Sequence, residues 1–168
     1  IEEKSNNYYL TANNHGLENE GLRKLLDEID NISDGYFDMD RKEGRSFLWV
    51  GPGGIRTPLH HDQTNNFFVQ IYGRKKFSMI PSKQVTKMYN FEAVFSPIDF
   101  AEPDLKKYPD FALTTPYEII LEPGDCLFIP VGWWHYVEGL DVNISMSFTN
   151  FDADNHNPGY PGGIGGAY

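Results

Sequence analysis

The chain has 168 residues, of which 40% are hydrophobic and 15% aromatic, a composition that suits one compact domain better than two. Its formal net charge of −10 disfavours phosphate-driven binding of nucleic acid and slightly favours a cationic partner. The single cysteine, Cys126, excludes an intrachain disulfide, and no apolar run is long enough for a membrane helix, so the expected location is cytoplasmic, or nuclear in a eukaryote.

Apolar residues near the N-terminus have helical spacing, which predicts one amphipathic helix over residues 17–29. The pattern is formed by Leu22, Leu25, Leu26 and Ile29. Two shorter helical segments are predicted in the middle of the chain, because Ser82 is a suitable cap and Pro103 suits the first turn of a helix over residues 103–108.

Most of the remaining chain is predicted to form strands, because it is rich in β-branched and aromatic residues and is punctuated by proline and glycine. The predicted strands cover residues 45–50, 66–72, 75–80, 117–121, 126–129, 135–138 and 142–150. Cys126, at the start of one of them, is expected in the core. Five glycines between residues 159 and 166 predict a flexible tail over residues 159–168, after a domain of residues 1–158.

The last predicted strand alternates most clearly, with apolar residues on one face and Asn143, Ser145 and Ser147 on the other. A small polar face is typical of a barrel whose interior holds a polar ligand. These three residues are therefore candidate pocket lining.

The densest chemical motif is Thr-Pro-Leu-His-His-Asp at residues 57–62, followed far downstream by Trp-Trp-His. Side chains two positions apart on an extended segment lie on the same side, so His60 and Asp62 can meet while His61 points away. A distant strand could add His135, which completes the two imidazoles and one carboxylate of non-haem Fe(II) oxygenases. His61 is the alternative to His60 as a ligand. A zinc hydrolase is the alternative to an iron oxygenase, although the chain has no H-E-x-x-H motif.

Two stretches of the chain resemble the Jumonji C family, and more narrowly its hydroxylase branch, which includes asparaginyl and arginyl hydroxylases. They read T-P-L-H-H-D-Q-T-N-N-F-F-V-Q-I-Y-G-R-K-K-F and E-P-G-D-C-L-F-I-P-V-G-W-W-H-Y-V. Residues 96–109 resemble the insert that these enzymes carry between the two halves of their barrel. The resemblance covers residues 9–148 and implies a mainly β fold, a double-stranded β-helix or cupin-like jelly-roll barrel.

On this resemblance the metal is Fe(II), held by His60, Asp62 and His135, and the co-substrate is 2-oxoglutarate. Lys75 takes the place of the lysine that pairs with the distal carboxylate of 2-oxoglutarate, and Lys76 is the alternative. A carboxylate buried in a barrel requires such a partner, because an unpaired buried charge is very costly.

Further residues match the co-substrate side of the family's site. Thr57, Asn66 and Tyr9 take the places of groups that hydrogen-bond 2-oxoglutarate. Phe68 and Gln70 share strand parity with Asn66 and are candidate pocket lining. No protein nucleophile is expected, so the metal ligands are the only catalytic residues.

The resemblance implies a dioxygenase that uses O₂ and 2-oxoglutarate to hydroxylate a protein or peptide side chain, with succinate and CO₂ as co-products. The alternatives are an N-methyl-lysine demethylase, a tRNA or small-molecule hydroxylase, and a catalytically silent binding module. The absence of a reader module or cysteine cluster in this sequence disfavours the demethylase, and the net charge disfavours tRNA. The intact H-x-D…H pattern with Lys75 disfavours the silent module.

Overall fold

The computed structural model describes residues 4–27, 35–38, 40, 45–90, 94–153 and 155, which contain eight strands. They are β1 (Ser46–Gly51), β2 (Arg56–His61), β3 (Asn66–Tyr72), β4 (Lys75–Ile80), β5 (Tyr117–Leu121), β6 (Cys126–Ile129), β7 (Trp134–Gly139) and β8 (Asn143–Phe148). One antiparallel sheet has the order β1-β8-β3-β6 and the other β2-β7-β4-β5. Strands from both halves of the chain interleave in each sheet, so the predicted double-stranded barrel is confirmed.

All seven predicted strands are present with small shifts at their ends, and β2 is an eighth. Composition did not predict β2 because Pro58 cannot donate to a ladder. β2 lies at the edge of its sheet, where proline is tolerated, and its pairing register shifts between Thr57 and His60. The metal-ligand motif thus lies on an irregular edge strand beside β7.

The predicted helix over residues 17–29 is wrong in form, since the described part consists of short turns. Two 3-10 segments, Gly16–Glu18 and Lys24–Leu26, flank a single α-helical turn, α1 (Glu20–Arg23). Asn19 caps α1 by accepting from the backbone of Gly21, which restarts the helix inside the predicted span. The apolar residues of this segment nevertheless pack against the domain, because Leu17 and Leu26 are buried on the outer face of the first sheet.

The helical predictions for the middle of the chain need two corrections. Ser82 does not cap a helix but is the first residue of a 3-10 helix, Ser82–Lys87. Residues 103–108 form a turn, and the helix begins one residue later, as the 3-10 segment Pro109–Leu113. Proline suits that first position, and it disfavours helical geometry in the residue before it.

Both sheets are covered on their outer faces, so the space between them is the interior of the barrel. The segment between β4 and β5 covers the second sheet with Met88, Ile98 and Phe111, which pack near Leu59 and Trp134. The N-terminal turns cover the first sheet. This packing on the outer faces fixes the two sheets, and with them the side chains that point into the barrel.

Cys126 is exposed, contrary to the expectation of a core position, because it starts β6 at the free edge of the first sheet. The predicted tail over residues 159–168 lies outside the described residues. Within the described part of the chain, no helix has the length and apolar composition needed to cross a membrane.

Candidate metal centre

Three potential ligands meet where β2 ends beside β7. His60 of β2 lies directly opposite His135 of β7, and Asp62 follows β2 immediately. The carboxylate oxygens of Asp62 lie 3.8 Å from Nε2 of His60 and 3.9 Å from Nε2 of His135. One donor atom from each residue falls within 4.8 Å of the others, which is close enough for a single metal ion to bind all three.

The hydrogen bonds of the two histidines prepare them for metal binding. Nδ1 of His60 lies 2.8 Å from the carbonyl oxygen of Pro58, and Nδ1 of His135 lies 3.0 Å from that of Trp133. A carbonyl only accepts, so each Nδ1 carries the proton and each Nε2 of the neutral ring keeps a lone pair. Burial, together with nearby His60, lowers the pKa of His135 to about 4, which keeps its ring neutral. The donor set fits a divalent cation.

His61, the competing ligand, lies outside this group. Its ring is fully buried and packs edge-on against Trp134, with 4.7 Å between the ring centroids. Its Nδ1 lies 3.2 Å from the backbone carbonyl oxygen of Asp62, so its contact with Asp62 is to the backbone and does not involve the carboxylate. The geometry therefore brings His60, and not His61, together with the Asp62 carboxylate.

A cavity of about 930 Å³ opens between the two sheets above these ligands. It is bordered by the three candidate ligands and by most of the other predicted site residues. The latter are Tyr9, Thr57, Asn66, Phe68, Lys75 and Ser147. The cavity thus connects a candidate metal site with a candidate co-substrate site.

Lys75 is a buried cation without a partner anion among the described residues. Its side chain has no exposed surface, and its Nζ donates to the Tyr9 hydroxyl at 3.2 Å. The rings of Tyr9, Trp49 and Phe68 surround Nζ at 5.4, 5.8 and 5.1 Å. Burial lowers the pKa of Lys75 to about 7. An anionic group bound in the cavity would supply the missing charge.

Lys76, the alternative anchor, is engaged elsewhere. It alternates to the other face of β4 and pairs with Glu118 of β5. Tyr9 remains a neutral donor, because burial raises its pKa to about 12 despite an opposing hydrogen bond with Thr57.

Asn66 has a role at the metal centre that sequence reasoning did not anticipate. Its side-chain nitrogen donates to the Asp62 carboxylate at 3.3 Å, so it orients a candidate ligand. Its Oδ1 is buried without a partner among the described residues. Asn66 can therefore hold Asp62 and also accept a hydrogen bond from a bound molecule.

Aromatic residues that line the cavity were also missed, among them Trp49 and Phe95. The indole nitrogen of Trp49 donates to Ser147 Oγ at 2.9 Å, which holds the ring beside Lys75. Inward strand parity in β1 could have identified Trp49. Phe95 stacks on His60, with ring centroids 5.7 Å apart, and remains 49% exposed. It comes from the segment that covers the second sheet, where no sequence motif points to it.

Gln70, Asn143 and Ser145 do not border the cavity, although parity suggested that they would. All three are fully buried farther along the strands, where they hold turns. Gln70 donates to the backbone of Tyr72 and Gly73 and accepts from Ser145, and Asn143 donates to a backbone oxygen two residues earlier. Their polar groups are thus used in hydrogen bonds at the β3–β4 and β7–β8 turns and between β3 and β8.

The charge of the cavity lining is opposite to that of the whole chain. Its cationic side chains are Arg45, Arg56 and Lys75, while Asp62 is the only acidic side chain among the described lining residues. If Asp62 binds a metal, no lining carboxylate in the described part of the chain remains for a cationic substrate group.

Comparison with known proteins places the chain in a family. A family model described as a cupin-like domain matches residues 2–157. The chain is 42% identical to lysine-specific demethylase 8 of Xenopus tropicalis over 104 residues, 60% of this chain and 24% of that protein. It is 36% identical to human HSPB1-associated protein 1 over 115 residues, 64% of this chain and 24% of that protein.

A third relative carries the family in its name. The chain is 35% identical to Jumonji C domain-containing protein 5 of Drosophila melanogaster over 104 residues, 60% of this chain and 26% of that protein. The chain spans about a quarter of the length of these curated relatives. Since the family model covers nearly all of the chain, the chain belongs to the cupin-like domain family, as a domain of the Jumonji C type.

Proposed function

We propose that this domain is an Fe(II)- and 2-oxoglutarate-dependent dioxygenase that hydroxylates a side chain of a protein or peptide. The observation that supports it best is the pairing of two features in one cavity. One is the His60, Asp62 and His135 donor set. The other is buried Lys75, which has no partner anion among the described residues. A co-substrate that chelates a metal at one end and carries a carboxylate at the other would satisfy both.

Fe(II) and 2-oxoglutarate, when bound, supply an oxidation by O₂ that inserts one oxygen atom into a C–H bond and releases succinate and CO₂. The residues of this chain bind and orient the reactants. His60, Asp62 and His135 would hold the metal on one side, leaving its other side open to the cavity. Lys75 would pair with the distal carboxylate, and the Tyr9 and Thr57 hydroxyls are further candidate donors to it. Trp49 and Phe68 exclude water from that pair, which strengthens it.

The charge of the lining supports hydroxylation over demethylation. A methylated ammonium group entering the cavity would meet Arg45 without a free carboxylate among the described lining residues, while Arg56 is paired with Glu138 at 3.8 Å. A neutral or acidic target side chain carries no such cost. Lysine demethylation remains the second candidate, because relatives from frog and zebrafish are named lysine-specific demethylase 8.

Anaerobic titration tests the metal and co-substrate assignments together. Fe(II) followed by 2-oxoglutarate should produce a visible charge-transfer band in the wild type. His60→Ala should abolish the band, whereas His61→Gln, a matched change at the neighbouring imidazole, should keep it. The opposite result would show that His61 is the ligand.

Exposure to air then separates the candidate reactions. Succinate with a 16 Da mass increase in a peptide supports hydroxylation, and release of formaldehyde from methyl-lysine peptides would favour demethylation instead. Bound iron without any succinate would mean that the domain is a silent binding module.

A further inference from the structure

The strand that carries His60 is irregularly paired within its own sheet. β2 is the outermost strand of that sheet, and its pairing with β7 shifts register between Thr57 and His60. Pro58, inside the shifted stretch, has no amide hydrogen to donate. A metal ligand on such a strand requires further contacts that hold its side chain in position.

A short segment of the layer that covers the second sheet pairs with β2 at this point. Two backbone hydrogen bonds of 3.0 and 2.9 Å join the segment to the strand. They run from the His61 amide to the Val94 carbonyl and from the Ser96 amide to the Leu59 carbonyl. Between them lies an antiparallel bridge in which Phe95 is directly opposite His60. Side chains of such a pair lie on the same face, which brings the ring of Phe95 to the imidazole of His60.

The ring of Phe95 is held at the metal centre without being part of the core. Its centroid lies 5.7 Å from that of the His60 imidazole, with 28° between the ring planes. Phe95 is 49% exposed and belongs to none of the hydrophobic clusters formed by the described residues. The residue after it is firmly anchored, since Ser96 is buried and its hydroxyl donates to the Met88 carbonyl at 2.7 Å. Core packing therefore does not explain why this ring is held beside His60.

His60 is the less enclosed of the two candidate imidazole ligands. Its side chain is 14% exposed, against 5% for that of His135. One hydrogen bond, from its Nδ1 to the Pro58 carbonyl oxygen, orients the ring but still permits rotation about that bond. The ring of Phe95 restricts this rotation because it packs against the imidazole.

We infer that Phe95 is a positioning residue of the metal centre, which keeps Nε2 of His60 directed at Asp62. The segment that covers the second sheet thereby contributes to metal binding, although none of its described residues is a candidate ligand. The inference rests on the proposed function only in placing a metal ion at His60. Phe95 takes no part in the reaction itself, because its ring has no group that binds a metal or transfers a proton.

The orientation of His60 can be measured in the metal-free protein by ¹⁵N NMR of its imidazole at pH 9, with signals assigned from His60→Ala. In the wild type the proton should reside on Nδ1, as the bond to Pro58 requires. Phe95→Ala should move at least about a fifth of it to Nε2, because a ring that rotates loses that bond part of the time. Phe95→Tyr keeps an aromatic ring and should retain the wild-type tautomer. A general loss of stability would not change the tautomer of the folded protein.

Competition with a chelating dye under anaerobic conditions then measures Fe(II) binding. Phe95→Ala should weaken binding about threefold to tenfold, whereas Phe95→Tyr should stay within about twofold of the wild type. Phe128→Ala is the matched control, because Phe128 is also 49% exposed, packs against Phe151 and does not border the cavity.

A wild-type tautomer in Phe95→Ala, or an equal loss of Fe(II) affinity in Phe128→Ala, would overturn the inference. A wild-type protein that binds no Fe(II) would overturn the proposed function instead. The tautomer of His60 would still decide the role of Phe95 in that case, because it is measured without metal.

Discussion

Replacing Lys75 by methionine is expected to stabilise the ligand-free protein while abolishing 2-oxoglutarate binding. Burial lowers the pKa of Lys75 from 10.5 to about 7. That difference corresponds to about 5 kcal/mol of unfavourable free energy when the ammonium is charged in the folded state, at ~1.4 kcal/mol per pKa unit. The three surrounding rings offset part of this cost, by about 0.5–2 kcal/mol. The uncharged methionine should therefore raise the free energy of unfolding by about 3–5 kcal/mol at pH 6.5.

The effect has a defined pH dependence. Between pH 7 and 10.5 the unfolded chain holds the Lys75 proton and the folded protein releases it. The free energy of unfolding of the wild type therefore contains a contribution that rises with pH in this range, and the variant lacks it. The advantage of Lys75→Met should be complete below pH 7 and should vanish as pH approaches 10.5.

Urea unfolding at pH 6.5, 8 and 9.5 measures this difference, and calorimetry measures 2-oxoglutarate binding. Lys76→Met is the matched control, because Lys76 pairs with Glu118 on the other face of β4 and should change stability by less than about 1 kcal/mol. A Lys75→Met protein that is less stable than the wild type at pH 6.5, or whose difference does not depend on pH, would refute the reasoning. Unchanged 2-oxoglutarate affinity would refute the anchor role.

Three further substitutions test neighbouring parts of the structure. Asn66→Ala removes the donor that orients Asp62 and should weaken Fe(II) binding about 10–100-fold, measured by competition with a chelating dye. Trp49→Phe loses the bond to Ser147 and should weaken 2-oxoglutarate binding about threefold to tenfold by calorimetry, with unchanged metal affinity as the control. Met88→Ala opens a cavity behind β2 and should cost about 2–5 kcal/mol in urea unfolding, and a smaller loss would mean that the covering segment repacks.

Local patterns predicted the strands and the sides on which their residues point, whereas the double-stranded barrel was implied by the resemblance to the Jumonji C family. Alternation is a property of the strand itself, so the spacing of His60 and Asp62 was enough to anticipate that they meet. Alternation along a strand shows which face a residue is on but not how far along the barrel it lies. It therefore could not show that Gln70, although on the same face as Asn66, does not border the cavity. Phe95 stacks on His60 because a distant segment folds over the sheet, a tertiary contact that no short pattern encodes.

The N-terminal turns show how tertiary packing overrides periodicity. Leucine spacing predicted one helix, but the cap at Asn19 divides the segment, and its leucines are buried without a continuous helix. Position within a sheet matters in the same way for Cys126, whose strand composition suggested a core residue although it is exposed on an edge strand.

The inversion of charge between the whole chain and its cavity has a kinetic consequence. A dicarboxylate approaching a protein of net charge −10 is repelled over roughly a Debye length of ~8 Å at physiological salt, and is attracted only once it reaches the cavity. Salt screens the outer repulsion, whereas Lys75 is buried and is screened far less. Entry of the co-substrate should accordingly become faster as ionic strength rises, while its dissociation stays nearly constant.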